Sequence, residues 1–192
     1  SKLDVVPGGV DTQECAPRPD SRSSRCELGC APEDFVVGTV GRLDPVRDYA
    51  SLIAAVGRLI PQRPHLRLLL VGDGPSRPGL EKQARLQGLG EHVRFLGYRQ
   101  DIAEILNMLD LFVLPSLFEG TSNALLEAMA VGLPAVVTGV GGNREVVLDA
   151  DDEVLGLHEH ASLMKIIVSN TSSATEYMWY HFSSVMAQPP TR

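Results

Sequence analysis

Residues 111–137 have the sequence LFVLPSLFEGTSNALLEAMAVGLPAVV, and this stretch decides the predicted fold. It predicts a buried strand from Leu111 to Pro115, then a polar turn, then a helix from about Ser122 to Val131. Gly132 stands where a helix C-cap belongs, and Pro134 follows where a helix cannot continue. Because this helix is apolar nearly all the way round, we expect it to be buried.

The polar turn before this helix predicts an anion site. Residues 119–122 (EGTS) supply a flexible glycine and two N-cap candidates, Thr121 and Ser122. Free backbone N–H groups and the positive end of the helix dipole meet there. Asn123 and Glu127 lie four residues apart on one face of the helix, so we expect Glu127 to point into a cleft.

The rest of the chain alternates short apolar strands with helices of about ten residues. Four further strands are predicted at Phe35–Val40, Leu66–Val71, His92–Leu96 and Pro134–Val137. The helices between them are predicted over Leu52–Ile60, Pro78–Gln87 and Asp101–Met108. This alternation is typical of parallel βαβ units, so the predicted fold class is α/β, with a Rossmann-like, doubly wound parallel sheet.

Composition limits the functions that the chain can have. Its 192 residues, 44% of them hydrophobic, suit a globular domain of ordinary size, and its formal charge of −7 argues against binding nucleic acid. No run of about 18 apolar residues is present, so we expect a soluble, cytoplasmic protein. The three cysteines lie in the polar stretch Gln13–Cys30, which predicts a surface loop with reduced thiols and neither a disulfide nor a zinc site.

Two arginines follow the first predicted strand, in the segment GRLDPVR. Ligands of open α/β sheets bind outside the carboxyl ends of the strands. Arg42 and Arg47 could therefore hold a diphosphate there and stabilise the charge that grows on it. The alternative is a pair of surface arginines that form ion pairs with Asp44 and Asp48.

Two glycine turns occupy the matching places after the second and third strands. Gly72, in the turn GDGP, would allow a backbone to approach a ligand closely, whereas Asp73 is better explained as a turn residue. Neither a Walker A sequence nor GxGxxG is present. The segment Gly97–Arg99 either borders a ligand or is an ordinary turn between a strand and a helix.

The segment EGTSNALLEAMAVGLP resembles the donor-site motif of retaining GT-B glycosyltransferases, the "glycosyl transferases group 1" family. That family carries two glutamates separated by seven residues, here Glu119 and Glu127. The blocks PGGVD, GRL and GDGP resemble the family as well. The resemblance implies a fold of two Rossmann-like domains facing a cleft, of which this chain would be the C-terminal, donor-binding half.

The resemblance also implies roles for single residues. It assigns Glu119 to hydroxyls of the transferred sugar, Glu127 to the ribose hydroxyls, and Arg42 and Arg47 to the diphosphate. Arg47 stands where the family usually has Lys, so the charge is kept and a planar fork replaces a point charge. The predicted catalytic residues are Glu119, Arg42 and Arg47. The predicted substrate-binding residues are Gly41, Gly72, Tyr98, Arg99, Gly120, Thr121, Ser122, Asn123 and Glu127, with the backbone near Tyr98 and Arg99 bordering the base.

The resemblance implies partners but no cofactor. The donor is a nucleotide sugar, with a UDP-sugar favoured, and acceptor contacts would come from an N-terminal domain in cis or in trans. A lipid-linked acceptor would bring peripheral membrane association. No metal is expected, because the arginines supply the cation; the DxD at residues 149–151 is therefore discounted. We place the donor domain at residues 1–150 and a divergent tail at 151–192.

Two other functions remain open from the sequence. The chain could be a non-catalytic module that binds a nucleotide sugar and transfers nothing, which its length and unusual tail favour. It could also be a glycoside hydrolase that uses Glu119 and Glu127 as acid and nucleophile. Paired arginines suit a phosphate leaving group better than that chemistry, and product analysis with a nucleotide sugar against a plain glycoside separates the two enzymes.

Overall fold

The structure, a computed structural model, describes residues 9–18 and 21–146 and the backbone of the strand Lys165–Val168, without the side chains of residues 22, 144 and 145. The sequence also predicts a short strand at Val5–Val6, and both this strand and the DxD at residues 149–151 lie outside the described residues. The division of the chain at residue 150 stays a prediction. No helix in the described part is long and apolar enough to cross a membrane.

In the described part of the chain, six parallel strands form one sheet in the order β3-β2-β1-β4-β5-β6. The strands are β1 Phe35–Val40, β2 Leu66–Val71, β3 Val93–Gly97, β4 Leu111–Leu114, β5 Ala135–Thr138 and β6 Lys165–Val168. This is the strand order of a Rossmann-type doubly wound sheet, which confirms the predicted fold class. β6 adds a strand to the five that the sequence analysis places in the sheet.

Helices cover both faces of the sheet, as a sheet of buried apolar strands requires. They are α1 Tyr49–Leu59, α2 Arg77–Leu86, α3 Ile102–Met108, α4 Asn123–Ala130 and α5 Asn143–Val146. One apolar core lies between the sheet and helices α1 and α2, and a second lies between the sheet and helices α3 and α4. Within the described residues the predicted strands and helices all exist. β1 and β2 have the predicted ends, and the ends of the other elements are displaced by at most three residues.

Helix α4 begins and ends as the sequence predicts. The Ser122 hydroxyl accepts a hydrogen bond from Leu125 N (3.3 Å), which makes Ser122 the N-cap. Gly132 adopts a positive φ of 73° after the last turn, and Leu133 N donates to Ala128 O (2.9 Å). The positive φ of Gly132 and this hydrogen bond are the features of a Schellman motif, which ends the helix.

The expected burial of α4 is wrong in part. Within the helix only Leu125 and Ala128 are buried, and both pack into the core against the sheet. The other apolar side chains of this helix are half-buried, because a helix laid on one face of the sheet turns only one stripe of residues toward it. Uniform apolar composition therefore does not report the exposure of each face.

The prediction of a surface loop over Gln13–Cys30 is also wrong in part, because several residues of this stretch are buried. Residues Ser21–Leu28 form a 3-10 helix in which Arg25 is only 1% exposed. Its guanidinium is paired with Asp110 (2.8 Å) and donates to the carbonyls of Met108 and Asp34 (2.7 and 2.9 Å). A buried charge is tolerated when it is paired and hydrogen-bonded in this way, so a polar composition does not require exposure here.

Candidate active site

The centre of the sheet holds a topological switch point between β1 and β4. From β1 the chain proceeds outward through β2 to β3, and from β4 it proceeds in the other direction through β5 to β6. In such sheets a crevice opens between the loops at the carboxyl ends of the two central strands, and ligands bind there. The two loops are residues 41–48 after β1 and residues 115–122 after β4, and both contain predicted site residues.

Side chains from these two loops meet across the switch point. Arg47, from the β1 loop, forms an ion pair with Glu119 from the β4 loop. The Ser116 hydroxyl donates to the same Glu119 carboxylate oxygen, Oε2 (2.9 Å), and accepts from Arg47 (3.4 Å). The Arg47 side chain is 24% exposed and that of Glu119 only 7%, so the cluster is sheltered yet reaches the surface. The backbone is joined at the same place, because Leu117 N donates to Val46 O (2.8 Å).

The other predicted arginine lies apart from this cluster. The Arg42 side chain is 71% exposed and forms an ion pair with Asp44 (3.0 Å), as the surface alternative predicts for that residue. Exposed pairs of this kind are weak, so the guanidinium of Arg42 can exchange Asp44 for another anion at little cost. Arg47 does not follow the alternative, since its partner is Glu119 rather than Asp48.

Glycines let neighbouring loops press directly against one another at the carboxyl edge. A Cβ built on Gly72, whose φ is 127°, would overlap the carbonyl oxygen of Gly41. On the other side of the switch point, a Cβ on Gly141 would overlap the carbonyl oxygen of Glu119. A Cβ on Gly142 would lie 2.6 Å from Gly120 O. The backbones of the two central loops are therefore each fixed by a glycine from the next loop outward.

Glu127 is half-buried and faces a segment that the sequence analysis did not connect with it. Burial raises the pKa of its carboxyl, and the negative charge of Glu14 raises it further. Glu14 lies in a turn that Asp11 stabilises, since the Asp11 carboxylate accepts from Gln13 N and Glu14 N (2.8 and 3.2 Å). Cys15, from the same turn, is buried in the core that α4 also joins. The turn at residues 11–15 therefore lies close enough to Glu127 for the charges of the two segments to interact.

The loop after β3 contributes to the outer part of the same edge. Gly97 has a φ of 69°, and its carbonyl accepts from Gly72 N (2.8 Å). Tyr98 is 79% exposed, whereas Arg99 is paired with Asp101. These positions keep Tyr98 available for a flat ligand, and its predicted place beside a nucleotide base stays a prediction.

The N-terminal turn of α4 holds the remaining predicted binding residues. Gly120, Thr121 and Asn123 are exposed, whereas Ser122 is buried as the N-cap. The Ser122 hydroxyl is committed to the helix, so only its backbone could serve a ligand.

Comparison with known proteins identifies the family. The family model described as "Glycosyl transferases group 1" matches residues 34–169, which is more than half of the chain. This chain belongs to the group 1 glycosyltransferases. The match extends beyond residue 150, into the segment that the sequence analysis describes as a divergent tail.

Curated relatives of this glycosyltransferase chain are considerably longer than it is. It is 32% identical over 167 residues to the putative glycosyltransferase EpsF of Bacillus subtilis, covering 86% of this chain and 42% of EpsF. It is 35% identical over 158 residues to the UDP-Gal:alpha-D-GlcNAc-diphosphoundecaprenol alpha-1,3-galactosyltransferase of Escherichia coli, covering 80% of this chain and 41% of that protein. The chain thus spans less than half the length of these two relatives.

Solved glycosyltransferase structures share the fold. HepE from Anabaena, crystallised with UDP and glucose, superposes with a TM-score of 0.79 at 25% identity, over 96% of this chain and 47% of HepE. The C-terminal domain of LpcC, a group 1 protein from Francisella tularensis, superposes with a TM-score of 0.76 at 22% identity, over 94% of this chain and 89% of that domain.

Several residues that shape the site of this glycosyltransferase chain are absent from the sequence-based prediction. Ser116 bridges Arg47 and Glu119, and its carbonyl accepts from the Thr138 hydroxyl (2.6 Å). Gly141 and Gly142 press on the Glu119 loop, as described above. The signal available in the sequence was the glycine-rich segment GVGG at residues 139–142, which follows the fifth predicted strand within a few residues, much as GDGP follows the second.

Proposed function

We propose that this chain is the donor-binding half of a retaining glycosyltransferase, which transfers a sugar from a nucleoside-diphosphate sugar to an acceptor. The observation that carries this proposal is the meeting of Arg47, Ser116 and Glu119 across the switch point. One cation and one carboxylate, side by side in a sheltered crevice, match a ligand in which a diphosphate is joined to a polyol. Membership of the family supports the same reading.

Each partner of the ion pair has a separate task in this proposal. Arg47 and Arg42 bind the diphosphate, and they stabilise the negative charge that develops there as the bond between C1 and the phosphate oxygen breaks. An ionised carboxylate accepts two hydrogen bonds from a diol, so Glu119 holds hydroxyls of the sugar and Glu127 those of the ribose. The acceptor oxygen bonds to C1 on the face that the diphosphate leaves, and its proton passes to the departing phosphate oxygen. The anomeric configuration is thereby retained.

We propose a UDP-sugar as the donor and no requirement for a metal. HepE has been crystallised with UDP-glucose as well as with UDP, and the name of the Escherichia coli relative specifies UDP-Gal. The arginines supply the positive charge that a metal would otherwise bring to a diphosphate. A lipid-linked acceptor, as in the name of the same relative, would bring the enzyme to a membrane surface.

Acceptor binding is assigned to a second domain, in cis or in trans. The 192 residues span less than half the length of the relatives EpsF and the galactosyltransferase, and the domain of LpcC that they resemble is a C-terminal one. The nucleotide site consists of loops of this chain, so we expect the chain to bind the donor. We expect this binding to be weak, because the second domain does not contribute to it. Orientation of the acceptor supplies a large share of such barriers, so we expect no transfer by this polypeptide alone.

Calorimetric titration of the purified chain with UDP-glucose, UDP-galactose and ADP-glucose tests the proposal, each with and without EDTA. We expect binding of a UDP-sugar that EDTA does not change. Failure of every nucleotide sugar to bind would refute the donor-site assignment, and loss of binding in EDTA would refute the metal-free site.

A second experiment separates the enzyme half from a binding module. We expect a fusion of the N-terminal domain of a related glycosyltransferase before Ser1 to restore transfer, with retained configuration at C1 by NMR. The matched control carries Glu119→Gln in the same fusion. Binding without transfer in every such fusion would favour the non-catalytic module, and inversion at C1 would overturn the retaining mechanism.

A further inference from the structure

The loop after β5 lies against the residue that we assign to the transferred sugar. Gly142 N donates to the carbonyl of Glu119 (3.2 Å), and the carbonyls of Glu119 and Gly120 occupy the space where side chains at 141 and 142 would begin. Gly141 has a φ of 49°, a conformation that residues with a Cβ rarely adopt. The Glu119 backbone can therefore lie where it does only because both neighbouring residues lack side chains.

The side chain of Asn143 ties this loop to the end of β5. Asn143 is 1% exposed, and its Nδ2 donates to Thr138 O (3.0 Å), so that it bridges the end of β5 and the start of α5. The hydroxyl of Thr138 in turn donates to Ser116 O (2.6 Å). A continuous set of hydrogen bonds thus leads from Asn143 to the backbone of Ser116, whose hydroxyl binds the Glu119 carboxylate.

The contribution of Asn143 to stability does not by itself explain why this residue is buried here. The Oδ1 of Asn143 is buried and has no hydrogen-bond partner among the described residues. An unpaired buried acceptor is unfavourable, so the residue carries a cost along with its one bond to Thr138 O. Replacing Asn143 by Ala removes the favourable hydrogen bond to Thr138 and the unfavourable unpaired oxygen together. We therefore expect only a small change in melting temperature.

We propose that the segment Gly141–Asn143 is a positioning element for Glu119, which sets the affinity for the sugar part of the donor and not for the nucleotide part. This proposal rests on the assignment of Glu119 to the sugar in the proposed function. The segment touches the backbone of Glu119 and Gly120, and it supports Ser116, whereas Glu127 lies four residues into α4 and faces the turn at residues 11–15. Displacement of the Glu119 loop should therefore weaken binding of the sugar part of the donor more than binding of the nucleotide part.

The test compares two ligands, UDP and UDP-glucose, on the full 192-residue chain. Gly141→Ala pushes a Cβ into the Glu119 carbonyl, and we expect it to weaken UDP-glucose about tenfold or more, the loss of one charge-assisted hydrogen bond, with UDP changed less than about twofold. Gly88→Ala is the matched control, since Gly88 has a similar positive φ of 71° and nothing within 4 Å of its Cβ position. The control should alter the melting temperature through backbone strain and leave the ratio of the two affinities unchanged.

Asn143→Ala provides a second, independent variant, which decides the question if Gly141→Ala does not fold. We expect it to shift the ratio of the affinities in the same direction and by less. Equal weakening of both ligands, or an unchanged ratio in a folded Asn143→Ala chain, would overturn the positioning role. If the unmodified chain binds neither ligand, the proposed function itself fails, and that result is distinct from a changed ratio.

Discussion

Replacing each arginine separately should affect ligand binding and fold stability in different ways. Arg42→Ala and Arg47→Ala should each weaken UDP binding by about 1.5–3 kcal/mol, the contribution of charge-assisted hydrogen bonds, which corresponds to roughly 10–150-fold in Kd. Only Arg47→Ala should also destabilise the fold. Its removal leaves Glu119, whose side chain is 7% exposed, with Ser116 alone, whereas Arg42 is 71% exposed and leaves Asp44 in contact with water.

The size of the stability loss follows from the exposure of the pair. Breaking a fully buried ion pair costs about 3–5 kcal/mol and breaking an exposed one about 0–1 kcal/mol. The pair of Arg47 and Glu119 is 24% and 7% exposed and lies between these limits, at about 2 kcal/mol. For a chain of this size that loss lowers the melting temperature by about 4–8 °C. Arg42→Ala should lower it by less than about 4 °C on the same scale.

Calorimetric titration with UDP and thermal unfolding of the same preparations provide both measurements. The double variant Arg47→Ala/Glu119→Gln is the decisive control, because it removes the uncompensated charge as well as the arginine. We expect it to unfold at a higher temperature than Arg47→Ala alone. If the double variant is no more stable, the ion pair is not the source of the loss; if Arg42→Ala binds UDP normally, Arg42 is only the surface partner of Asp44.

Three further predictions concern the glutamates and the bridging serine. Glu127→Gln should weaken UDP and UDP-glucose alike, whereas Glu119→Gln should weaken only UDP-glucose; equal losses on both ligands for both variants would refute the division of roles. Burial raises the pKa of Glu127 above its ordinary value of 4.5. Between pH 4.5 and the raised pKa, the native chain therefore binds more protons than the unfolded chain. The free energy of unfolding falls as the pH rises through this range. Glu127→Gln should therefore be more stable than the unmodified chain at neutral pH in thermal unfolding, and a variant of lower stability would contradict this sign. Ser116→Ala should reduce UDP-glucose binding by about 1 kcal/mol, one net hydrogen bond, and an unchanged titration would show that Ser116 does not orient Glu119.

The sequence predicted the sheet well because its signals are local. Each apolar strand ends at a glycine or a polar turn, and helices α1 and α4 begin at capping side chains, those of Asp48 and Ser122. The assignment of Arg47 and Glu119 to one region also follows from local information, since both come directly after strands whose carboxyl ends share an edge. The sequence could not show that they bind each other, because 72 residues separate them.

The errors arise where a distant partner decides the environment of a residue. Arg25 is in a stretch of polar composition, yet it is buried because Asp110 and two carbonyls from distant segments surround it. The half-exposure of α4 likewise depends on which stripe the sheet takes, and the support of Glu119 by Gly141 depends on the contact of two loops. None of these contacts leaves a periodic pattern in the chain.

The pairing of loops at the sheet edge explains how one ligand could engage both halves of the site. On one side Gly72 fixes the loop of Arg42 and Arg47, and on the other Gly141 fixes the loop of Glu119. Across the switch point the two loops are joined by a backbone bond from Leu117 to Val46 and by the side-chain cluster around Ser116. The backbone hydrogen bond from Leu117 to Val46 can persist when a ligand enters, whereas Arg47 and Glu119 can bind the ligand instead of each other. In the proposed function, a diphosphate attached to a sugar presents an anion to the arginine and hydroxyl donors to the carboxylate at once, so that both side chains keep a hydrogen-bond partner. A bare phosphate or a free sugar would satisfy only one of them, which is a physical reason for this crevice to prefer the intact donor.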